Sequence, residues 1–142
     1  MIQSITLSTA QHAQIVEYAR AGQPDEICGI IGGYLTIAQV VIPLPNIAVD
    51  SRSRYQVDPA AFVSAYRQIE RSGAEVIGLY HSHPRGKPIP SAVDIVEATW
   101  PEAAYVIVGF PNDSTENEAQ PVVAAWSIRH GIVAPITLIL TK

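Results

Sequence analysis

The spacing of apolar positions changes several times along the chain, and each change marks a new element. A short apolar segment, Ile2 to Leu7, precedes a stretch where Ile15, Val16 and Ala19 recur at helical spacing. Ser8 followed three residues later by Gln11 is a capping box that starts this helix, and Gly22 is its natural stop. Two β-like runs follow, Ile27 to Leu35 and Ile37 to Leu44, with Gly32-Gly33 marking a strand irregularity or a turn. Pro43, Pro45 and Asn46 open a loop that contains a short extended piece around Tyr55. Asp58-Pro59 predicts a second helix, with Asp at the N-cap and Pro in the first helical position. Ala61, Phe62, Ala65, Tyr66 and Ile69 form its buried face, and Gly73 ends it.

Val76 to Tyr80 is continuously apolar apart from Gly78 and reads as a buried strand, with His81-Ser82-His83-Pro84 at its end. A loop with Gly86, Pro88 and Pro90 leads to Ser91, after which Ala92 to Thr99 reads as helix and Ala104 to Phe110 as strand. Val122 to Ile128 and Ile132 to Leu140 form a closing hairpin around Arg129-His130-Gly131. Strands outnumber helices and their order is mixed. The expected fold is α/β (mixed α+β), a central mixed β-sheet flanked by helices.

Composition narrows the class. The 142 residues carry no repeat, low-complexity tract or charge block, so a single domain over 1–142 is expected. Apolar residues at 48% and charged residues at 15% exclude a disordered chain and a coiled coil. A net charge of −4 makes nucleic acid a poor partner, because tight non-specific binding depends on Lys and Arg neutralising phosphates. The longest nearly apolar run, Ile132 to Leu140, is about half a membrane span, so no membrane partner is expected. Cys28 is the only cysteine, and the first residues lack the basic start and apolar core of a secretory signal. The expectation is a soluble, cytoplasmic protein with no disulfide framework.

The chemistry centres on two histidines. In an extended segment, side chains at i and i+2 share a face, so His81 and His83 can reach one metal without bending the backbone. Four histidines scattered at random give about 0.1 such pairs, which makes the pair alone only suggestive. Ser91 and Asp94 add a third candidate donor and an ambiguity. They read either as a capping box with Asp in place of Glu, or as a site in which Asp94 is the third ligand. One oxygen of Asp94 cannot easily cap the helix and bind a metal at once. Two His and a carboxylate with an open fourth position is a catalytic zinc arrangement, and it needs a base to take a proton from water.

His81-Ser82-His83, seven intervening residues, Ser91, two residues and Asp94 resemble the JAMM metalloprotease motif of the MPN-domain superfamily. Glu26, in Asp25-Glu26-Ile27-Cys28-Gly29, matches the upstream glutamate of that family. The resemblance implies an MPN/JAMM fold related to cytidine deaminase-like folds. It implies His81, His83 and Asp94 as ligands of Zn2+, Glu26 as general base and proton donor, and Ser91 as a hydrogen-bond donor to the oxyanion. The short chain and the Pro-Asp-Glu-Ile-Cys-Gly stretch look most like the small bacterial members, one of which cleaves a cysteine adduct from a ubiquitin-like sulfur carrier. The implied substrate is such a carrier with a Gly-Gly tail, paired along an exposed strand edge beside the metal.

Three competing functions are weighed against this one. A non-catalytic MPN scaffold typically lacks the ligands or the glutamate, and here every position is filled. A DNA-repair-associated branch carries a locally similar His-x-His-Pro stretch, but the chain has no basic tract. A zinc deaminase needs Pro-Cys-x-x-Cys, which one cysteine cannot supply. Among the other candidates, Cys28 shares a face with Glu26 and reads as a small buried hydrophobe, and His12 and His130 read as surface residues. Trp100 and Trp126 read as packing residues, and Arg85 and Lys87 as loop charges that are solvated or touch an acidic partner.

Overall fold

The computed structural model describes residues 2–111 and 120–142. Strand β1 (Ser4–Ser8) alternates half-buried and buried positions, then hands over directly to helix α1 (Thr9–Gly22). The hand-over is made by the capping box: the Gln11 N–H donates to Ser8 Oγ at 3.0 Å and the Ser8 N–H to Gln11 Oε1 at 2.8 Å. Strands β2 (Cys28–Tyr34) and β3 (Ile37–Leu44) form an antiparallel pair. Their register shifts at Gly32/Gly33, which is the irregularity expected there. Helix α2 (Pro59–Arg71) starts at Asp58, but the Asp58 carboxylate makes no cap hydrogen bond, so the helix relies on Pro at its first position.

Strand β4 (Glu75–His83) extends through both histidines. Helix α3 (Ala92–Glu97) ends two residues earlier than expected. Pro101 restricts the residue before it, and the Trp100 N–H is taken by the Tyr105 hydroxyl at 3.0 Å rather than by a helical carbonyl. Strands β5 (Ala104–Gly109), β6 (Val122–Arg129) and β7 (Ile132–Thr141) complete the described elements.

The strands run in the order β1-β3-β2-β4-β5-β6-β7, and the expected mixed sheet closes into a barrel. Closure comes from β1, which pairs in parallel with β7 over Ser4–Ser8 and touches β3 through Thr6 and Ile37. No local pattern announces it, because the first and last strands of the chain meet only once the core is formed. Helix α1 covers one face, with Ile15 and Ala19 packed among Ile5, Leu7, Val106 and Val108. Helix α2 covers the other, with Ala65 and Ile69 against Cys28 and Ile30. Covered on both faces, β5 is buried at every position.

The strand carrying the histidines has no free edge, since β4 pairs with β2 on one side and with β5 on the other as far as His83–Gly109. His12 is half-buried rather than a surface residue, whereas His130 is exposed at the hairpin turn with φ 51°. Among the described residues no helix is long and apolar enough to cross a membrane.

Candidate metal centre

Alternation along β4 sets the site. His81 and His83 emerge on one face, and Ser82 between them points the opposite way and is fully buried. Ser82 ties the glutamate segment to the strand: its Oγ accepts the Ile27 N–H at 2.9 Å, and its own N–H donates to Ile27 O at 3.1 Å. Glu26, one residue earlier, donates its N–H to Ser51 O at 2.8 Å, while Asn46 Nδ2 donates to Glu26 O at 2.9 Å. The result is convergence. The donor atoms of Glu26, His81 and His83 lie within 4.8 Å of one another.

Asp94 comes closer still, carried in on the first turn of α3. Its Oδ2 lies 3.1 Å from His81 Nε2 and 3.0 Å from His83 Nε2, and the two Nε2 atoms are 3.2 Å apart. The capping box is present as well: Ser91 N–H donates to that same Oδ2 at 2.9 Å, and Asp94 N–H donates to Ser91 Oγ at 3.1 Å. The two readings of Ser91 and Asp94 therefore coexist on one oxygen. A carboxylate oxygen has two lone pairs, so the N–H takes one and leaves the other directed at the imidazoles.

Four observations bear on whether these residues fit a metal. The triangle of 3.0, 3.1 and 3.2 Å matches the edge of about 3.3 Å that a tetrahedral zinc with bonds of about 2.0–2.1 Å imposes on its ligands. His83 Nδ1 faces the Lys87 carbonyl at 2.8 Å, and a carbonyl only accepts, so Nδ1 carries a proton, and Nε2 holds the lone pair a metal needs whenever the ring is neutral. Glu26 Oε1 is buried with no hydrogen-bond partner. Buried polar atoms of this kind ordinarily face water or an ion. Finally, the site is nearly dry, with the Asp94 side chain 7% exposed and that of His81 1%. The donor set fits zinc.

Burial and these contacts separate the ionisable groups. Burial pushes Glu26 up to about 7, partly offset by His83. Asp94 would also be raised by burial, but hydrogen bonds from both imidazoles hold it well below the usual carboxylate range. Burial lowers His81. It opposes protonation of His83 too, yet the bond with Asp94 lifts that ring above its ordinary value. Cys28 stays outside the centre, with its thiol directed at the Leu44 and Pro45 carbonyls.

Two clefts flank the centre. One, of about 510 Å³, is lined by Glu26, His83, Ser91, Arg52, Arg85 and Lys87. The other, of about 630 Å³, is lined by several aromatic residues, Tyr55, Phe62, Trp100 and Tyr105, together with Leu79. Tyr55 lines the second cleft and also packs beside the candidate ligand His81, its ring centroid 4.7 Å from that of the imidazole. Trp100 and Trp126 pack as expected, although Trp126 also donates its indole N–H to Pro88 O at 2.8 Å. The sequence reading did not single out Ser82, Asn46, Tyr55 or the Lys87 carbonyl. Of these, only Ser82 left a signal, since a polar residue between two same-face histidines must point into the opposite layer.

Comparison with known proteins identifies the family. A family model described as prokaryotic homologs of the JAB domain matches residues 8–128. The chain is 34% identical over 120 residues to a desampylase of Haloferax volcanii, covering 80% of this chain and 86% of that protein. It is 41% identical over 86 residues to a probable TtuB-protein conjugate cleaving protease of Thermus thermophilus, covering 61% of this chain and 57% of the relative. A solution structure of a Desulfitobacterium hafniense protein superimposes with a TM-score of 0.83 at 29% identity, over 97% of this chain and 93% of that one. The match spans both histidines, Glu26, Ser91 and Asp94, and the chain belongs to the prokaryotic JAB-domain family.

Proposed function

We propose that this protein is a zinc-dependent peptidase that hydrolyses the peptide or isopeptide bond after the C-terminal Gly-Gly of a ubiquitin-like sulfur carrier. The reading is carried by one observation: His81 Nε2, His83 Nε2 and Asp94 Oδ2 meet within 3.2 Å of each other beside Glu26, whose buried Oε1 has no hydrogen-bond partner. The names of the two relatives, a desampylase and a conjugate-cleaving protease, support the same class of reaction.

His81, His83 and Asp94 would hold the metal, which supplies a Lewis acid and brings the pKa of its water to about 7. Glu26 takes the proton from the attacking water and returns it to the leaving nitrogen as the C–N bond breaks. Burial raises this carboxyl above the usual carboxylate range, which makes it a better proton acceptor for the first transfer. Ser91 Oγ is already an acceptor for the Asp94 N–H, which leaves its hydroxyl proton to donate to the developing oxyanion. With no free edge on β4, the Gly-Gly tail is held by loops and side chains, and glycine lets it pass where a side chain would clash. Most of the affinity then comes from the folded carrier docking elsewhere.

The test is mass spectrometry of carrier adducts incubated with the zinc-loaded protein. The expected product is a carrier ending in a free Gly-Gly carboxylate. Glu26→Gln should reduce turnover by about 10²–10⁴-fold while zinc stays bound. Full activity in Glu26→Gln, or cleavage only of unrelated unfolded proteins, overturns the reading.

A further inference from the structure

The 510 Å³ cleft beside Glu26 carries three cations, Arg52, Arg85 and Lys87, out of nine Lys and Arg residues in a chain of net charge −4. Among the described residues none of the three forms an ion pair, whereas Arg54 is matched by Glu97 and Asp50, and Arg129 by Glu102. Their backbones are fixed. Arg52 follows Ser51, whose carbonyl accepts the Glu26 N–H and whose hydroxyl donates to Asp25 at 2.8 Å. Arg85 and Lys87 sit on the loop whose Lys87 carbonyl holds His83, and which Trp126 anchors through Pro88. Gly109 permits this seat, because a Cβ there would stand 2.5 Å from Pro88 N and 2.6 Å from Gly86 O. Two pinned loops thus present positive charge around the carboxylate that serves the leaving nitrogen.

We infer that Arg52, Arg85 and Lys87 form an anion site for the leaving group, selecting amines that carry a free carboxylate next to the scissile bond. The inference rests on the proposed function for its orientation: Glu26 protonates the leaving nitrogen, so the group attached to that nitrogen lies in the cleft that Glu26 lines. An α-amino acid joined through its nitrogen places a carboxylate one carbon from that atom. A lysine side chain of a folded protein, joined through Nζ, places none there. Charge-assisted hydrogen bonds from guanidinium to carboxylate are the strong kind, and the fork of an arginine fits both oxygens. The site therefore favours release of a single amino acid or of a chain-terminal residue over release of a lysine side chain.

The experiment compares two adducts of one carrier, its terminal glycine joined either to alanine or to alaninamide. The zinc-loaded protein should cut the carboxylate form with a kcat/KM at least about 10-fold higher. In the Arg85→Gln/Lys87→Gln double variant, and further with Arg52→Gln, that ratio should fall to within about twofold. Arg67→Gln/Arg71→Gln on α2, outside the cleft, serves as a control for total charge. Equal cleavage of the two adducts by the unmodified protein overturns the inference, as does a ratio that survives loss of all three cations or falls as much in the α2 control. A second measurement is independent of turnover: NMR titration of Glu26→Gln protein with glycylglycylalanine and with its amide. Selective binding of the carboxylate peptide, lost in the cation variants, supports the anion site even if neither adduct is cut. Failure of all cleavage would then fall on the proposed function alone. Equal binding of both peptides overturns the anion site.

Discussion

Glu26 and Asp94 are two carboxylates beside the same pair of imidazoles, and their surroundings drive them apart. Asp94 receives hydrogen bonds that favour its anion, while Glu26 Oε1 receives none and is left with the cost of burial. Such a separation is how one site holds an anion for binding and a proton carrier for chemistry. Cys28, two residues on, shows what burial does without any role. Its thiol is pushed up to about 12 from 9.0, with Glu26 adding to the effect of burial. Three pH units reduce the thiolate population at pH 8 about 1,000-fold, and only the thiolate reacts. Iodoacetamide at pH 8 should therefore leave the folded protein unmodified and add one carbamidomethyl group in denaturant, as read by intact mass. The sign of the linkage follows: the raised thiol pKa contributes stability that is complete below pH 9 and is lost as pH rises towards 12. Rapid labelling of the folded chain would show that Cys28 is accessible to solvent.

At the scale of elements, the site depends on how β4 is joined to the segment before β2. Ser82 makes that joint from both its hydroxyl and its amide. Ser82→Ala leaves the Ile27 N–H buried without its acceptor, a loss of about 1–3 kcal/mol. The urea midpoint should fall accordingly, and turnover should fall with it because Glu26 is the next residue along. An unchanged midpoint would mean that water or another group satisfies Ile27. The elements themselves were largely legible in the sequence. Capping at Ser8, the irregularity at Gly32-Gly33 and the same-face histidines are local patterns, and local patterns survive folding. The joints were not legible. Ser82 and Ile27 are 55 residues apart, and Asn46 and Glu26 are 20 apart, with one partner in each pair acting through its backbone, which no side-chain pattern records. The short end of α3 reflects the same limit, since the Tyr105 hydroxyl takes the Trp100 N–H there.

For the molecule as a whole, the question is whether the metal is needed for the fold. Three apolar clusters stand independently of it: one under α1, one under α2, and one joining α3 to Leu79, Tyr105 and Ile128. The proposed ligands also lie on β4, which is paired along both sides, and on a helix capped by its own Ser91. Asp94→Ala should therefore lose stoichiometric zinc yet remain folded. Chelation of the unmodified protein should leave its circular dichroism intact and lower the melting temperature. The stability lost is about 2.7 kcal/mol when free metal had stood 100-fold above its Kd. Full zinc content in Asp94→Ala would remove Asp94 from the ligand set, and global unfolding on chelation would make the metal structural. Barrel closure through β1 is the whole-molecule feature that the sequence concealed, while β4 lies inside the sheet because β2 and β5 flank it.

The hydrogen bond from His83 to Lys87 has a consequence for how this protein could diversify. The ring is oriented by a main-chain carbonyl, and every residue type offers the same one. Glu26 is likewise held by the carbonyl of Ser51 and not by its hydroxyl. Side chains on both loops can therefore be exchanged, at positions 52, 85 and 87 above all, without disturbing the groups that perform hydrolysis. Selection can rewrite which leaving group is accepted while the reaction stays the same. A barrel arranged in this way pairs a fixed chemical centre with an editable mouth, and the leaving group can change while the centre does not.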